Sequence, residues 1–254
     1  MYMAESPRIF IDAGGWYLAY YLGMWEYILA EFGKEAFKGV HFDGISAGGH
    51  TAAYIVSCIY GDHTMKHWLE NGPKYVVHIN KYGCGQMTEG LYETGHHFHT
   101  SLNKAQIRAN KKYVRAYCMT DKQELHCCQN IATPEEHGAA ASATGNIPIV
   151  GACEPMQFRD KQLWDGFFYK RYGDVLDTKN MLYISFGPHF ECENILDLSN
   201  WTYHTNMVSL FPSFLPPNAT LRICDELFER GFNDAKRNRA TLVAKLNAIR
   251  IYVR

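Results

Sequence analysis

Several features that would point to particular functions are missing from this chain. Net charge is nearly absent: 25 Lys and Arg against 26 Asp and Glu leave −1 at pH 7. The molecule as a whole therefore exerts no strong pull on nucleic acid, and no nucleic-acid partner is expected. No run of about 18 apolar residues occurs, so no membrane-spanning helix is expected. The N-terminus carries no basic stretch followed by an apolar core, so no signal peptide is expected. The eight Cys contain no C-x-x-C pair. They read as buried, reduced thiols of a reducing compartment, and a cytoplasmic location follows as the expectation. Without a secretory signal, the Asn-x-Thr sequons at Asn200 and Asn218 read as chance matches. No D-x-[DN]-x-[DN]-G calcium loop, no G-x-G-x-x-G, no Gly-Lys-Ser/Thr phosphate loop and no internal repeat is found.

What the chain does have is enough apolar material for a sizeable core. Its 254 residues are 47% hydrophobic, which suits one α/β domain over residues 1–254, with a core over about 8–190 and a helical C-terminal region over about 191–254. Aromatic residues make up 14%, a fraction that fits apolar grooves with polar rims as well as an ordinary core.

The chain opens with a repeated unit. Arg8 to Asp12 reads as a buried strand, Ala13-Gly14-Gly15 as a turn, and Leu18 to Phe32 as a helix stopped by Gly33. Gly39 to Phe42 reads as a second strand, followed by Gly44-Ile45-Ser46-Ala47-Gly48 and a helix over His50 to Ile59. Two β-turn-α units in succession predict a parallel sheet, with both glycine turns at the same sheet edge. The second turn has the form G-x-S-x-G in the strand-turn-helix context of a nucleophile elbow. There Gly44 and Gly48 leave room for neighbouring backbone, and a helix N-terminus points toward charge forming on a substrate. The other turn could offer N–H groups to an oxyanion. A structural serine and a plain strand-to-helix turn are the ordinary alternatives.

Farther along, Gly72-Pro73 is a break, Asp62 to Trp68 reads as a continuing helix, and Thr88 to Thr100 as loop or short helix. His96, His97 and His99 lie in that stretch, with His97 and His99 able to converge if it is a strand. A metal site needs three or four converging ligands, and a solvated polar turn is the preferred reading, so no metal or other cofactor is expected. Tyr113 to Met119 and Glu124 to Gln129 read as paired strands, with Cys127 and Cys128 on opposite faces. Thr133 and Pro134 read as the cap and first position of a helix. Met156 to Arg159 and Gln162 to Trp164 form a hairpin signal that leads to Asp165-Gly166, and Met181 to Gly187 reads as another buried strand. Residues 199–218 read as a loop-rich cover, with helices over Leu221 to Leu227 and Asn233 to Ile249. The basic run from Lys236 to Arg254 reads as a solvated helix face, with contact to anionic lipid headgroups as the alternative.

Taken in order, these motifs resemble those of the patatin-like phospholipases over about residues 8–240. Asp12-Ala13-Gly14-Gly15 is similar to that family's oxyanion loop, and Leu22-Gly23-Met24-Trp25 follows in the next helix. Gly44 to Gly48 matches its elbow, Ala141 to Pro148 its helix end before the second catalytic hairpin, and Leu163-Trp164-Asp165-Gly166 its Asp-Gly element. Leu227 to Ala235 is similar to its final helices. The resemblance implies an α/β three-layer sandwich around a mostly parallel sheet. It also implies a catalytic dyad of Ser46 and Asp165 without histidine, and an oxyanion hole for which Gly14, Gly15 and Ala47 are the candidates. The implied activity is lipid acyl hydrolysis of the phospholipase A or lysophospholipase type, through an acyl-enzyme and without metal, at a lipid or membrane surface contacted peripherally. The chain departs from the pattern at Ala13, where a third Gly is usual, at Tyr17-Leu18, where Arg-Gly is usual, and at Phe167, where a small residue is usual. The loss of that Arg motivates an alternative: a catalytically weak or inactive lipid-binding or regulatory protein of the same fold. A second alternative is an α/β-hydrolase esterase with His189 or His204 as base, although Ser46 comes early for that fold.

Overall fold

A computed structural model describes residues 6–79, 87–147, 154–169, 176, 178–188, 190–201 and 217–253. In chain order the strands are β1 (Arg8–Ile11), β2 (His41–Ile45), β3 (Val114–Thr120), β4 (Leu125–Cys128), β5 (Met156–Phe158), β6 (Lys161–Asp165), β7 (Met181–Ser185) and β8 (Ile195–Asp197). The helices are α1 (Leu18–Phe32), α2 (Ala47–Ile59), α3 (Met65–Asn71), α4 (Pro73–Ile79), α5 (Met87–Ser101), α6 (Lys104–Tyr113), α7 (Pro134–Thr144), α8 (Pro217–Arg237) and α9 (Arg239–Ala248).

The strands form one mixed sheet in the order β5-β6-β3-β2-β1-β7-β8, with β4 also paired to β3. The run from β3 to β8 is parallel, and β4 and β6 lie antiparallel to β3. β1 and β2 are therefore central neighbours, and both glycine turns leave the sheet at the same edge, as their repeated unit predicted. Alternation along the strands sorts the core. Ile9, Ile11, Phe42, Leu182 and Ile184 face the main helical layer, while Phe10, Ile45, Tyr117, Met181 and Tyr183 face the opposite side. On that opposite side the described cover includes Tyr169, Leu176 and Phe190 from non-helical segments. The architecture is α/β, consistent with a three-layer sandwich whose third layer, where described, is loop. Cys127 packs on that side and Cys128 on the helical side, so the adjacent pair does point to opposite faces. The six described cysteines, Cys58, Cys118, Cys127, Cys128, Cys192 and Cys224, are free thiols.

The main helix pairs cross through reciprocal glycines. A Cβ on Gly23 of α1 would stand 1.8 Å from the Phe228 carbonyl oxygen, and one on Gly231 of α8 would stand 2.1 Å from the Tyr20 carbonyl oxygen. Only residues without a side chain admit that approach. α5 and α7 meet similarly, since a Cβ on Gly95 would lie 2.6 Å from the Ala141 methyl.

Four features differ from the sequence reading. Residues 87–101 form a full helix where loop or short helix was expected, and packing against α7 outweighs the intrinsic cost of Gly90 and Gly95. α6 was not anticipated, although Asn103 and Gln106 form a reciprocal capping box at its start. The helix over 62–68 is not a continuation of α2: a bend intervenes, and α3 starts afresh with the Thr64 hydroxyl accepting from the His67 N–H at 3.1 Å. α8 runs unbroken through 228–232, where two separate helices were expected, and the break falls at Asn238. Residues 202–216, most of the expected loop-rich cover, lie outside the described residues.

Candidate active site

Ser46 follows directly on the last residue of β2 and precedes the first of α2. Its backbone has φ 51° and ψ −127°, a conformation that L-residues avoid and that costs roughly 1–3 kcal/mol. Three contacts hold it there. The Ser46 N–H donates to Thr144 Oγ1 at 2.9 Å. The Ser46 carbonyl accepts from the N–H groups of Gly49 at 3.0 Å and His50 at 3.4 Å, which opens the helix. The flanking glycines supply the space: a Cβ on Gly44 would lie 2.3 Å from the Gly48 carbonyl carbon, and one on Gly48 would lie 2.0 Å from the Ile11 carbonyl oxygen. The N-terminus of α2 is thereby seated on the ends of β1 and β2, with its first N–H groups lacking helical acceptors.

Asp165 ends β6, opposite Cys118 of β3, while Tyr117 of β3 lies opposite Ile45 of β2. Ser46 and Asp165 thus stand at the same end of the sheet with β3 between their strands. Asp165 is fully buried. Its N–H donates to the Asn146 carbonyl at 3.0 Å, and its Oδ1 accepts from the Phe167 N–H at 2.9 Å. Burial pushes its pKa from 3.8 up to about 7; the Phe167 N–H and the Ser46 hydroxyl pull it down and the nearby Asp12 carboxylate pushes it up. The Ser46 hydroxyl is close enough to favour the charged form, yet Oδ2 is buried without a closed hydrogen bond. Loose pairing of this kind is common before substrate binds.

The stretch 144–146 at the end of α7 ties both groups together, through the Thr144 hydroxyl on one side and the Asn146 carbonyl on the other. Asn146 is itself fully buried and donates through Nδ2 to the Glu154 carbonyl at 3.0 Å. These positioning residues were not assigned from sequence. They lie inside the Ala141 to Pro148 run, but a hydroxyl and a carbonyl at a helix end reveal no partner until the sheet is assembled.

The loop after β1 is anchored by Asp12, which is fully buried. Its Oδ1 accepts from the Ala13 N–H at 2.7 Å, and its Oδ2 accepts from the hydroxyls of Tyr183 and, at 2.9 Å, Ser185. Gly15 follows at φ 51°. A cavity of about 80 Å³ opens beside Ser46, lined by Gly15, Trp16, Leu18, Ala47, His50, Tyr54, Val76 and Leu91 among others, almost entirely apolar atoms. Gly15 and Ala47 thus share the cavity wall with Ser46. Gly14 stands behind, with room only for a hydrogen against the Tyr21 ring, 2.9 Å from where a Cβ would be. Asp165 is not among the described lining residues. Tyr17 packs inward on Phe186, ring centroids 4.6 Å apart, and Leu18 joins the cavity wall. No Lys or Arg is among the described lining residues, so charge stabilisation here rests on main-chain N–H groups and the α2 terminus.

The histidine cluster does not converge. His97 stacks on Tyr75, His96 lies 3.8 Å from Glu135, and His99 meets His137 with ring nitrogens 3.4 Å apart. Residues 96–99 are helical, so their side chains fan around the axis. Among the described residues no group of three His, Cys, Asp or Glu is placed to hold a metal ion. His189 and His204 lie outside the described residues. In the basic C-terminal run, Arg239 Nε pairs with Glu31 at 2.6 Å and Arg237 with Asp234. No described helix is long and apolar enough to cross a membrane.

Comparison with family models, curated proteins and solved structures yields no match to this chain. A hydroxyl on a strained turn, a carboxyl whose pKa lies near neutrality, a helix N-terminus and an apolar cavity together form a set suited to acyl transfer.

Proposed function

We propose that this chain is a lipid acyl hydrolase of the patatin-like kind, with the patatin fold, using Ser46 and Asp165 as a dyad. The observation that carries the reading is the position of Ser46: strained, at a helix N-terminus, on the wall of an apolar cavity, beside a buried carboxyl with a pKa of about 7. A serine hydroxyl needs a base, and a carboxylate near its ordinary pKa is a poor one; burial makes Asp165 a stronger base.

Ser46 Oγ attacks the ester carbonyl carbon as its proton passes to Asp165. The oxyanion is stabilised by N–H groups of Gly15 and Ala47, with Gly14 supporting the loop; one such donor is worth about 3 kcal/mol. The C–O bond to the alcohol breaks, and that alcohol takes the proton from Asp165. Water then repeats the sequence on the acyl-enzyme, releasing the fatty acid. The 80 Å³ apolar cavity suits an acyl chain, and the lipid surface is approached peripherally from the cytoplasm.

The test is a lipid-panel hydrolysis assay with fluorophosphonate labelling, comparing wild type with Ser46→Ala and Asp165→Asn. Covalent labelling and fatty-acid release that both vanish in Ser46→Ala support the reading; labelling that persists in that variant defeats it. A second reading is favoured by the inward packing of Tyr17 and by the absence of Lys and Arg among the described lining residues: a weak or silent lipid-binding protein of the same fold. Lipid binding without any turnover would establish it.

A further inference from the structure

The cavity beside Ser46 has two ends. Ser46, Ala47, His50 and Tyr54 all line it and fall on one face of α2. Tyr54 is the lining residue of α2 farthest from the serine, two turns on, or about 12 Å along the helix axis. Gly15 and Trp16 belong to the loop that leaves the sheet beside Ser46, whereas Gly72 and Val76 come from the α3–α4 corner and α4.

Tyr54 is 2% exposed, and its ring is fixed by packing on its neighbours. It stacks on Trp68 of α3, with centroids 5.3 Å apart and planes 12° from parallel, and meets Phe98 of α5 edge-on at 5.1 Å. Its hydroxyl end lies against Gly72, where a Cβ would stand 2.5 Å from the phenol oxygen. Gly72 lines the cavity, while Trp68 and Phe98 are not among its described lining residues. The ring therefore stands between the cavity and those two aromatic side chains, as a wall at the end away from the serine.

The space that this wall closes is small, about 80 Å³. A cavity of about 150 Å³ takes up benzene with its six carbons, so this one has room for roughly three or four. A chain of sixteen carbons needs about five times the volume on the same scale. The lining is almost wholly apolar, which suits the hydrocarbon of an acyl group and not a glycerol or a phosphate.

We propose, on the hydrolase reading above, that this cavity takes the acyl group of the ester and limits it to a short chain, acetyl to butanoyl, with Tyr54 as the residue that sets the limit. A longer chain attached through Ser46 meets the Tyr54 ring before all of it is buried. Its remaining methylenes then stay outside the cavity, or they force the ring off Trp68 and Phe98, and either outcome is lost from the transition state.

Two variants of opposite sense test this. Tyr54→Leu removes the ring and lengthens the cavity, and Val76→Phe fills it from α4. Hydrolysis of p-nitrophenyl esters of two, four, six and eight carbons gives kcat/KM for each chain. Ratios between chains cancel any loss of folded protein, which thermal unfolding measures separately. The wild type should favour the four-carbon over the eight-carbon ester by about tenfold or more. Tyr54→Leu should raise the eight-to-four ratio by about tenfold, and Val76→Phe should lower the four-to-two ratio by a similar factor. A wild-type optimum at eight carbons overturns the size limit. An eight-to-four ratio unchanged in Tyr54→Leu overturns the role of Tyr54, and ratios unchanged in both variants overturn the cavity as the acyl site. If the wild type hydrolyses none of the esters, the hydrolase reading fails by itself, and stabilisation by 1-butanol and 1-octanol at equal free concentration decides the cavity. A rise in Tm with 1-butanol in the wild type, and with 1-octanol only in Tyr54→Leu, upholds the limit; a rise with both alcohols in the wild type, or with neither, overturns it.

Discussion

Replacing Asp165 with Asn separates what the site costs from what it does. In the fold the Asp165 carboxyl has a pKa of about 7 against 3.8 in the open chain, with burial as the main cause. The folded state therefore binds a proton that the unfolded state has already released, and over the interval from about pH 4 to 7 stability falls as pH rises. The displacement is about three pH units at about 1.4 kcal/mol each, so roughly 4 kcal/mol is forfeited at pH 8 as an upper bound. Asn keeps the Oδ1 that accepts from Phe167 N–H and carries no charge to desolvate. The variant should match the wild type near pH 4 and exceed it by about 2–4 kcal/mol at pH 8, a rise in Tm on the order of 10 °C. Asp43, also buried and pushed up to about 6, is present in both proteins and cancels in the difference. Chemical denaturation at four pH values from 4 to 8 measures the effect, and the same preparations should show no ester turnover. A difference in stability that stays flat across that range, or that favours the wild type at pH 8, refutes the assignment of Asp165 as a buried, charge-strained acid.

The remaining predictions concern the frame around the dyad. Wild-type kcat/KM should fall as pH drops below about 7, because Asp165 must be ionised to accept the Ser46 proton; a rate–pH profile with no acid limb above pH 5 would contradict this. Ser46→Gly should abolish fluorophosphonate labelling yet unfold at the same or higher denaturant concentration, by about 1–2 kcal/mol, since glycine tolerates φ 51°. Thr144→Val leaves the Ser46 N–H without its acceptor and should cost about 1–3 kcal/mol of stability, with turnover falling more than Thr144→Ser; equal activity in the two would remove Thr144 from the positioning network. Gly23→Ala drives a methyl into the Phe228 carbonyl and should destabilise by more than about 3 kcal/mol, read as lost soluble yield or a lowered denaturation midpoint.

Much of the frame was legible in the residues themselves because its signals are local. Alternating burial, a glycine after each of the first two strands, and the Thr133-Pro134 start are written in short windows, and periodicity reads them directly. The steric need for small neighbours at Gly44 and Gly48 belongs to the same class. Helix α5 was obscured because Gly90 and Gly95 look like breakers until α7 is packed against them. The unbroken α8 was obscured because Gly231, which resembles a stop, is the contact point for α1.

The candidate site divides along the same line. Local pattern pointed to Ser46, since a G-x-S-x-G turn is a matter of five consecutive residues, and the family resemblance in motif order named Asp165 with it. What brought Asp165 to it was the pairing of β6 with β3, across 119 positions of chain between the two side chains. What brought Thr144 and Asn146 was the docking of α7 over the sheet. Only tertiary structure could settle the surroundings of that carboxyl and the cavity beside Ser46, because burial and enclosure are made by segments distant in the chain and are a property of none of them singly.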